Sequence, residues 1–232
     1  MRRADLARYA LWCGIAATAE ANRREYRMAT TWLPHFAMNT LSLLLPDVLR
    51  LALPHAQPRE ASARGAASLL RETLAELACD NPGYVLYVAP LAAGYLLSAP
   101  WLNIYKGRLG DLRVAGFGLD ALPHAATAFA LSALVDDLLA SAAGRSRPDE
   151  PLGQRLRRLN RHSRAVSASA LALATLVWEL GEYRIHRHEL SRRGDAAAIN
   201  MQWSLADTLT DCAANALGWL LAVIRRDALS GT

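Results

Sequence analysis

The sequence predicts an all-α, polytopic transmembrane helix bundle of about five spans, with a sixth left open at the N-terminus. Two observations carry that reading. From Asn81 to Tyr105 there are 25 consecutive residues without a formal charge, and a bilayer needs about 20 such residues. In addition, Trp32, Tyr84, Trp101, Tyr105, Trp178, Tyr183 and Trp203 fall near the ends of apolar segments, as side chains of an interfacial belt do. Bulk composition does not decide the matter: 53% of the 232 residues are hydrophobic and 20% charged, a balance that soluble helical proteins share. In a soluble bundle, however, the uncharged run would have to be buried on every side.

The expected elements follow in order. Residues 1–30 form an interfacial N-terminal helix or a partial span: "MRRADLARYALWCGIAATAEA" has an uncharged stretch from Tyr9 to Ala19, too short to cross and similar to a signal peptide. "NRREYR" after it reads as a run facing headgroups or water. Residues 31–232 form the transmembrane domain, with spans at about 33–53, 84–104, 118–139, 165–183 and 207–224. The first is the weakest, since it carries His35, Asp47 and Arg50.

Several function classes find no support. Cys13, Cys79 and Cys212 are odd in number and widely spaced, which fits neither a disulfide framework nor a cysteine zinc site. The sequence contains no glycine-rich phosphate loop and no G-x-S-x-G elbow. The arginine run from Gly144 to Arg164 imitates a nucleic-acid patch, but between two spans it reads as a topogenic or lipid-facing loop, so membrane lipid is the expected partner and nucleic acid is not.

The chemistry gathers at span ends. Asp207, Asp211 and Asn215 are spaced four apart, and a step of four drifts only about 40° around a helix. Asp120 and His124 are likewise one turn apart, Glu179 and Glu182 are three apart, and His186 follows four later. If spans three, four and five alternate in direction, the start of the third, the end of the fourth and the start of the fifth share one membrane face. Five carboxylates meeting in a low-dielectric site need compensation. A hard divalent cation, shared protons or a cationic group would each supply it. Mg²⁺, Mn²⁺ or Zn²⁺ suits carboxylates with one imidazole. The metal-ligating candidates are Asp120, His124, Glu179, Glu182, Asp207 and Asp211. In that scheme Glu179 or Glu182 is the general base and His124 the acid. Asn215, Arg184 and Arg187 are the candidates for binding substrate.

The order D-x-x-x-H, E-x-x-E, then D-x-x-x-D-x-x-x-N leading into "ALGWLL" resembles the VanZ-like and YjdF-like small inner-membrane proteins of bacteria. The resemblance covers about 115–225 and rests on Asp120, His124, Glu179, Glu182, Asp207 and Asp211, with Asn215 and Gly218 closer to the VanZ version. The longer insert between Glu182 and Asp207 fits the YjdF-like version better. It implies a multi-pass protein of the inner membrane and an envelope setting, without supplying a mechanism.

Seven arginines (Arg145, Arg147, Arg155, Arg157, Arg158, Arg161 and Arg164) lie between spans three and four, and Arg225 and Arg226 follow span five. By the positive-inside rule that side is cytoplasmic and the acids face outward. Against this, with five spans the N-terminal segment with Arg2, Arg3, Arg8, Arg23, Arg24 and Arg27 lies on the acids' side, a conflict that a sixth span near 9–27 would remove. Two functions follow from such a site: hydrolysis of a lipid or lipid-linked phosphate with metal assistance, or non-enzymatic handling of a lipid, an ion or protons.

Overall fold

The computed structural model describes residues 3–52, 66–199 and 202–230; Arg2 and the last residue of the span expected at 33–53 lie outside them. The described residues are about 82% helical, and the one sheet among them is a two-stranded hairpin, so the fold is all-α. In chain order the helices are α1 (Arg3–Tyr26), α2 (Ala29–Ala52), α3 (Ala66–Leu74) continuing into a π-helical turn (Ala75–Asp80), and α4 (Tyr84–Leu96). They are followed by the short α5 (Gly107–Gly110), the hairpin β1 (Arg113–Val114) and β2 (Phe117–Gly118), and α6 (Ala121–Arg145). The chain then forms α7 (Pro151–Arg161), α8 (Ser163–Arg193), a 3-10 turn (Ala196–Ala198) and α9 (Leu205–Ser230).

Local chemistry sets many of these boundaries. Ala115 and Gly116 both take positive φ in the hairpin turn, the pairing that a tight two-residue connection requires. Pro151 opens α7 at its first turn, where a missing N–H is harmless. Gly194 closes α8 in the left-handed conformation, its N–H donating to Leu190 O, as a helix C-cap needs.

Side-chain contacts give the helix directions. Arg8 meets Asp47 and Trp12 meets Thr40, so α1 and α2 are antiparallel. Tyr84 reaches Ser42 O and Tyr95 reaches Trp32 O, so α4 runs against α2. Thr208 meets Glu179 and Trp219 meets Ser167, so α8 and α9 are antiparallel. His124 meets Asp211 and Asp136 meets Arg226, so α6 and α9 run parallel. The α6–α9 pairing is the most extensive in the molecule. Gly218 lies against Ala125 and Ala128 across it, and buried Ala214 and Ala222 share its face of α9 at steps of four, small residues that let two backbones approach. A first core forms where Ile15, Ala19, Leu43, Ala78, Tyr84, Val88, Ala92 and Tyr95 close between α1, α2, the π-helical turn and α4.

The spans come out differently from the sequence reading. Among the described residues two helices, α6 and α8, are long and apolar enough to cross a membrane, and these hold the spans expected at 118–139 and 165–183. The span expected at 84–104 is a helix of only 13 residues, about 20 Å long. Pro100 disfavours helix at the residue before it, and the chain turns from Leu97 onward. The spans expected at 33–53 and 207–224 fall on helices of 24 and 26 residues, but Asp47 and Arg50 in one, and Asp207, Asp211 and Asn215 in the other, lower their apolarity. The N-terminal segment forms a helix of 24 residues whose Ile15 and Ala19 belong to the first core.

Candidate functional site

Parallel α6 and α9 with antiparallel α8 bring the start of α6, the end of α8 and the start of α9 to one end of the bundle. There Glu179, Glu182 and Asp211 each present a carboxylate oxygen, all within 4.8 Å of one another. Glu179 and Asp211 are buried and Glu182 is half-buried. The two glutamates are three apart in sequence, which puts both on one face of α8. His124 completes the inner set, its Nε2 standing 3.5 Å from Asp211 Oδ2.

Among the described residues, two carboxylate oxygens in this group lack a partner. Glu179 accepts a hydrogen bond on Oε2 from the Thr208 hydroxyl at 2.5 Å, while its buried Oε1 has none. Asp211 Oδ1 is likewise buried and unpartnered. Buried polar atoms are almost always satisfied, so two orphaned acceptors in one acidic cluster point to a missing donor or cation.

Asp120 and Asp207 form an outer pair. Each lies in electrostatic range of the inner carboxylates, and Arg113 from β1 acts on Asp207. Asp120 is held by a close approach of the hairpin: a Cβ on Gly118 would sit 2.2 Å from Asp120 Oδ1. Asn215 lies one turn deeper on the α9 stripe, donating from Nδ2 to Thr175 Oγ1 at 3.0 Å. It therefore joins α9 to α8 and does not enter the carboxylate group.

Arg184 and Arg187 are placed differently from the expected substrate-binding role. Both are exposed, and at 100° per residue they sit about 200° and about 140° around α8 from Glu182. Among the described residues neither forms an ion pair. His186 also turns aside, its Nδ1 accepting the backbone N–H of Trp203 at 3.4 Å.

Three further residues contribute, and two of them, Thr208 and Tyr105, carry no local motif. Thr208 adjoins Asp207 in sequence but reads as an ordinary helix residue until α8 is placed beside it. Tyr105 donates its hydroxyl to Gly94 O at 3.0 Å. Burial, helped by Asp120, Glu182 and Asp211 nearby, raises its phenol above the ordinary range. Gly218 admits α9 to α6, since a Cβ there would lie 2.1 Å from Ala125 O. Of the three, Gly218 alone had a sequence signal, a glycine one turn beyond the polar stripe.

Comparison with protein-family models, with curated proteins and with solved structures finds no match. The VanZ-like and YjdF-like resemblance therefore rests on the motif residues themselves.

Proposed function

We propose that this chain is a multi-pass protein of the bacterial inner membrane, VanZ-like or YjdF-like in kind, which holds a divalent cation at one membrane face and acts there on a lipid or lipid-linked phosphate. The observation that carries the reading is the pair of buried, unpartnered oxygens, Glu179 Oε1 and Asp211 Oδ1, in a trio of carboxylates within 4.8 Å. That spacing is close to the about 4.2 Å separating trans ligands of an ion bonded at about 2.1 Å. Carboxylate oxygens with one imidazole beside them suit Mg²⁺, Mn²⁺ or Zn²⁺.

The membrane setting draws support from surface pattern. Only 17% of the apolar window of α8 and 33% of that of α6 is buried in the bundle, whereas a core helix of a soluble protein is mostly covered. On α8, Leu173, Leu176, Val177 and Leu180 are exposed, and on α9 so are Leu217, Leu220, Leu221 and Ile224. Each set follows the i, i+3, i+4, i+7 spacing of one helical face. Two such outward stripes expose apolar faces that water does not favour.

A bound divalent ion supplies Lewis acidity and a water that ionises near neutral pH. In this reading Asp211 and Glu179 hold the cation, and half-buried Glu182 takes the proton from the attacking water as the new phosphorus–oxygen bond forms. His124, oriented by Asp211, gives a proton to the leaving oxygen as the old bond breaks. The test is metal content. Purified protein is expected to retain near-stoichiometric metal and Asp211→Asn to lose it with little change in fold, because asparagine keeps the size and removes the charge. Metal-free protein that also fails to bind added Mg²⁺, Mn²⁺ or Zn²⁺ overturns the reading.

One observation favours a second function. Arg184 and Arg187 are exposed on the far side of α8 from Glu182, so the acids lack the expected arginine clamp for a phosphate. Without it, the same site fits a non-enzymatic role in which a cationic headgroup, an ion or protons neutralise the acids.

A further inference from the structure

At the other end of the bundle, α7 and α8 meet in an elbow that the carboxylate site does not use. A cleft of about 410 Å³ opens there, lined by Arg161, His162, Ser163, Arg164, Arg226 and Asp227. Three arginines thus face a single carboxylate, and Asp227 is already held by Arg164 at 2.6 Å. Arg226 is fixed in place by Asp136 Oδ1 at 3.1 Å and Asn160 O at 3.0 Å. Arg161 is exposed and, among the described residues, unpaired.

The second observation is Ser163. It is 1% exposed, and among the described residues its buried hydroxyl has no hydrogen-bond partner, although the residue lines the cleft. It also opens α8, a helix of 31 residues. The first N–H groups of any helix lack intrahelical acceptors and carry partial positive charge, so the cleft combines a helix N-terminus, an idle donor and surplus arginine. Such a combination is suited to a phosphate.

The neighbouring helix says where the phosphate comes from. On α7 the side chains of Leu152, Leu156 and Leu159 share one face at 100° per residue, and Arg155, Arg158 and Arg161 share the adjoining one. The helix is docked firmly through its third face: a Cβ on Gly153 would lie 1.7 Å from Arg147 O, and Arg157 donates to Ala143 O and Ser146 O. That leaves Arg155, Arg158 and Arg161 exposed beside Leu159, which is also exposed. An apolar face next to a cationic one is the pattern of a helix lying in the headgroup layer.

We propose that the α7–α8 elbow binds the phosphodiester of an anionic lipid headgroup, gripped by Arg161, Arg164 and the Ser163 hydroxyl, with Arg155 and Arg158 drawing the anionic surface to it. The lipid source rests on the membrane reading above; the phosphate chemistry of the cleft does not.

The experiment measures thermal stability of the full chain in detergent with added phosphatidylglycerol, phosphatidylcholine, inorganic phosphate or single-stranded RNA. Phosphatidylglycerol is expected to raise the melting temperature, phosphatidylcholine to have little effect, and Arg161→Gln to weaken the phosphatidylglycerol affinity about tenfold, as loss of a charge-assisted hydrogen bond does. Ser163→Ala separates binding from folding. Removing an idle buried hydroxyl should leave the lipid-free melting temperature unchanged or higher while reducing the lipid response. A fall in the lipid-free value with an intact lipid response overturns the assignment of Ser163 to the site. Equal stabilisation by both lipids, or a phosphatidylglycerol response that survives Arg161→Gln combined with Arg158→Gln, overturns the lipid site. Stabilisation by RNA in preference to both lipids also overturns it. Stabilisation by inorganic phosphate alone keeps the anion site and rejects the lipid as its source. If the chain proves soluble without detergent, the membrane reading fails while the phosphate arm still tests the cleft.

Discussion

His124 near the start of α6 and Asp211 near the start of α9 face one another with Nε2 and Oδ2 3.5 Å apart, across two helices that run in the same direction. A parallel pair keeps matching depths along its whole length, and the far ends of the same helices are joined by Asp136–Arg226 at 3.1 Å and Asp137–Arg225 at 3.5 Å. The α6–α9 pair is thus clamped by polar contacts at both ends and packed through small residues between them.

The first prediction concerns that contact. If His124 orients Asp211 toward a cation, His124→Gln should weaken metal affinity by about 10- to 100-fold, the usual effect of removing a partner behind a ligand, with a small change in melting temperature. Titration of metal-stripped protein measures it. Unchanged affinity would remove His124 from the support of the cation, whatever its part in proton transfer.

The second prediction tests the close approach between the clamps. A Cβ at Gly218 meets Ala125 O at 2.1 Å and Ala128 Cβ at 2.9 Å, so Gly218→Ala must push α9 away from α6, at a cost of about 1–3 kcal/mol. Gly181, within α8, has open space where its Cβ would be. There the change to alanine should gain about 0.5–1 kcal/mol by lowering the entropy of the unfolded chain. Thermal melts of the two variants in the same detergent should move in opposite directions, and a shared direction refutes the packing argument.

The polar stripes on α6, α8 and α9 were legible because helical periodicity alone brings residues three and four apart onto one face, and the direction of each helix followed from alternation. What escaped depended on distant partners. Asp47 and Arg50 read as liabilities of a weak span, yet buried Arg8 from α1 holds Asp47 at 2.9 Å and Asp5 at 2.9 Å, and Arg50 caps Cys79 O. No local pattern records a pairing across 39 residues. The uncharged run from Asn81 promised one long helix, and hydropathy is blind to the prolines that shortened it. Arg184 and Arg187 lie close to Glu182 in sequence, but the helix turns them to another face.

The third prediction is a pH dependence outside the spans. Glu76, in the π-helical turn, accepts hydrogen bonds from Arg145 Nε at 2.8 Å and from the Ser141 hydroxyl. The Arg145 guanidinium, with Ser141, holds its carboxyl below the ordinary 4.5. A carboxyl lowered on folding contributes stability that is fully present above its unfolded value and lost as pH falls through the folded one. Acid should therefore loosen the contact of α3 with α6 below about pH 4.5, modestly, since both side chains are partly exposed to screening solvent. Glu76→Gln should flatten that part of the melting-temperature profile; a profile identical to the parent chain's removes the pair from the account.

The last prediction tests the membrane reading proposed above and, within it, separates five crossings from six. Helix α1 contains 24 residues, about 36 Å at 1.5 Å each, enough to cross a hydrocarbon core of about 30 Å. It lies antiparallel to α2, and α2 antiparallel to α4, so α1, α2, α4, α6, α8 and α9 alternate in direction. If all six cross, the N-terminus lies at the same end as α7 and the arginine loop, and Arg3 and Arg8 add to the charge there. If α1 stays at the interface, the N-terminus lies with the carboxylates and sets Arg3 and Arg8 against the positive-inside rule. Arg8 argues for the first arrangement, because its ion pairs with Asp5 and Asp47 are buried between α1 and α2 near the arginine end and would hold the start of α1 there. Reporters at the N-terminus and within Arg147–Arg161 should both be cytoplasmic, and one within Arg187–Asp195 periplasmic. An N-terminal reporter opposite in sidedness to the arginine loop would restore five crossings, and all three reporters on one side would remove the membrane reading altogether.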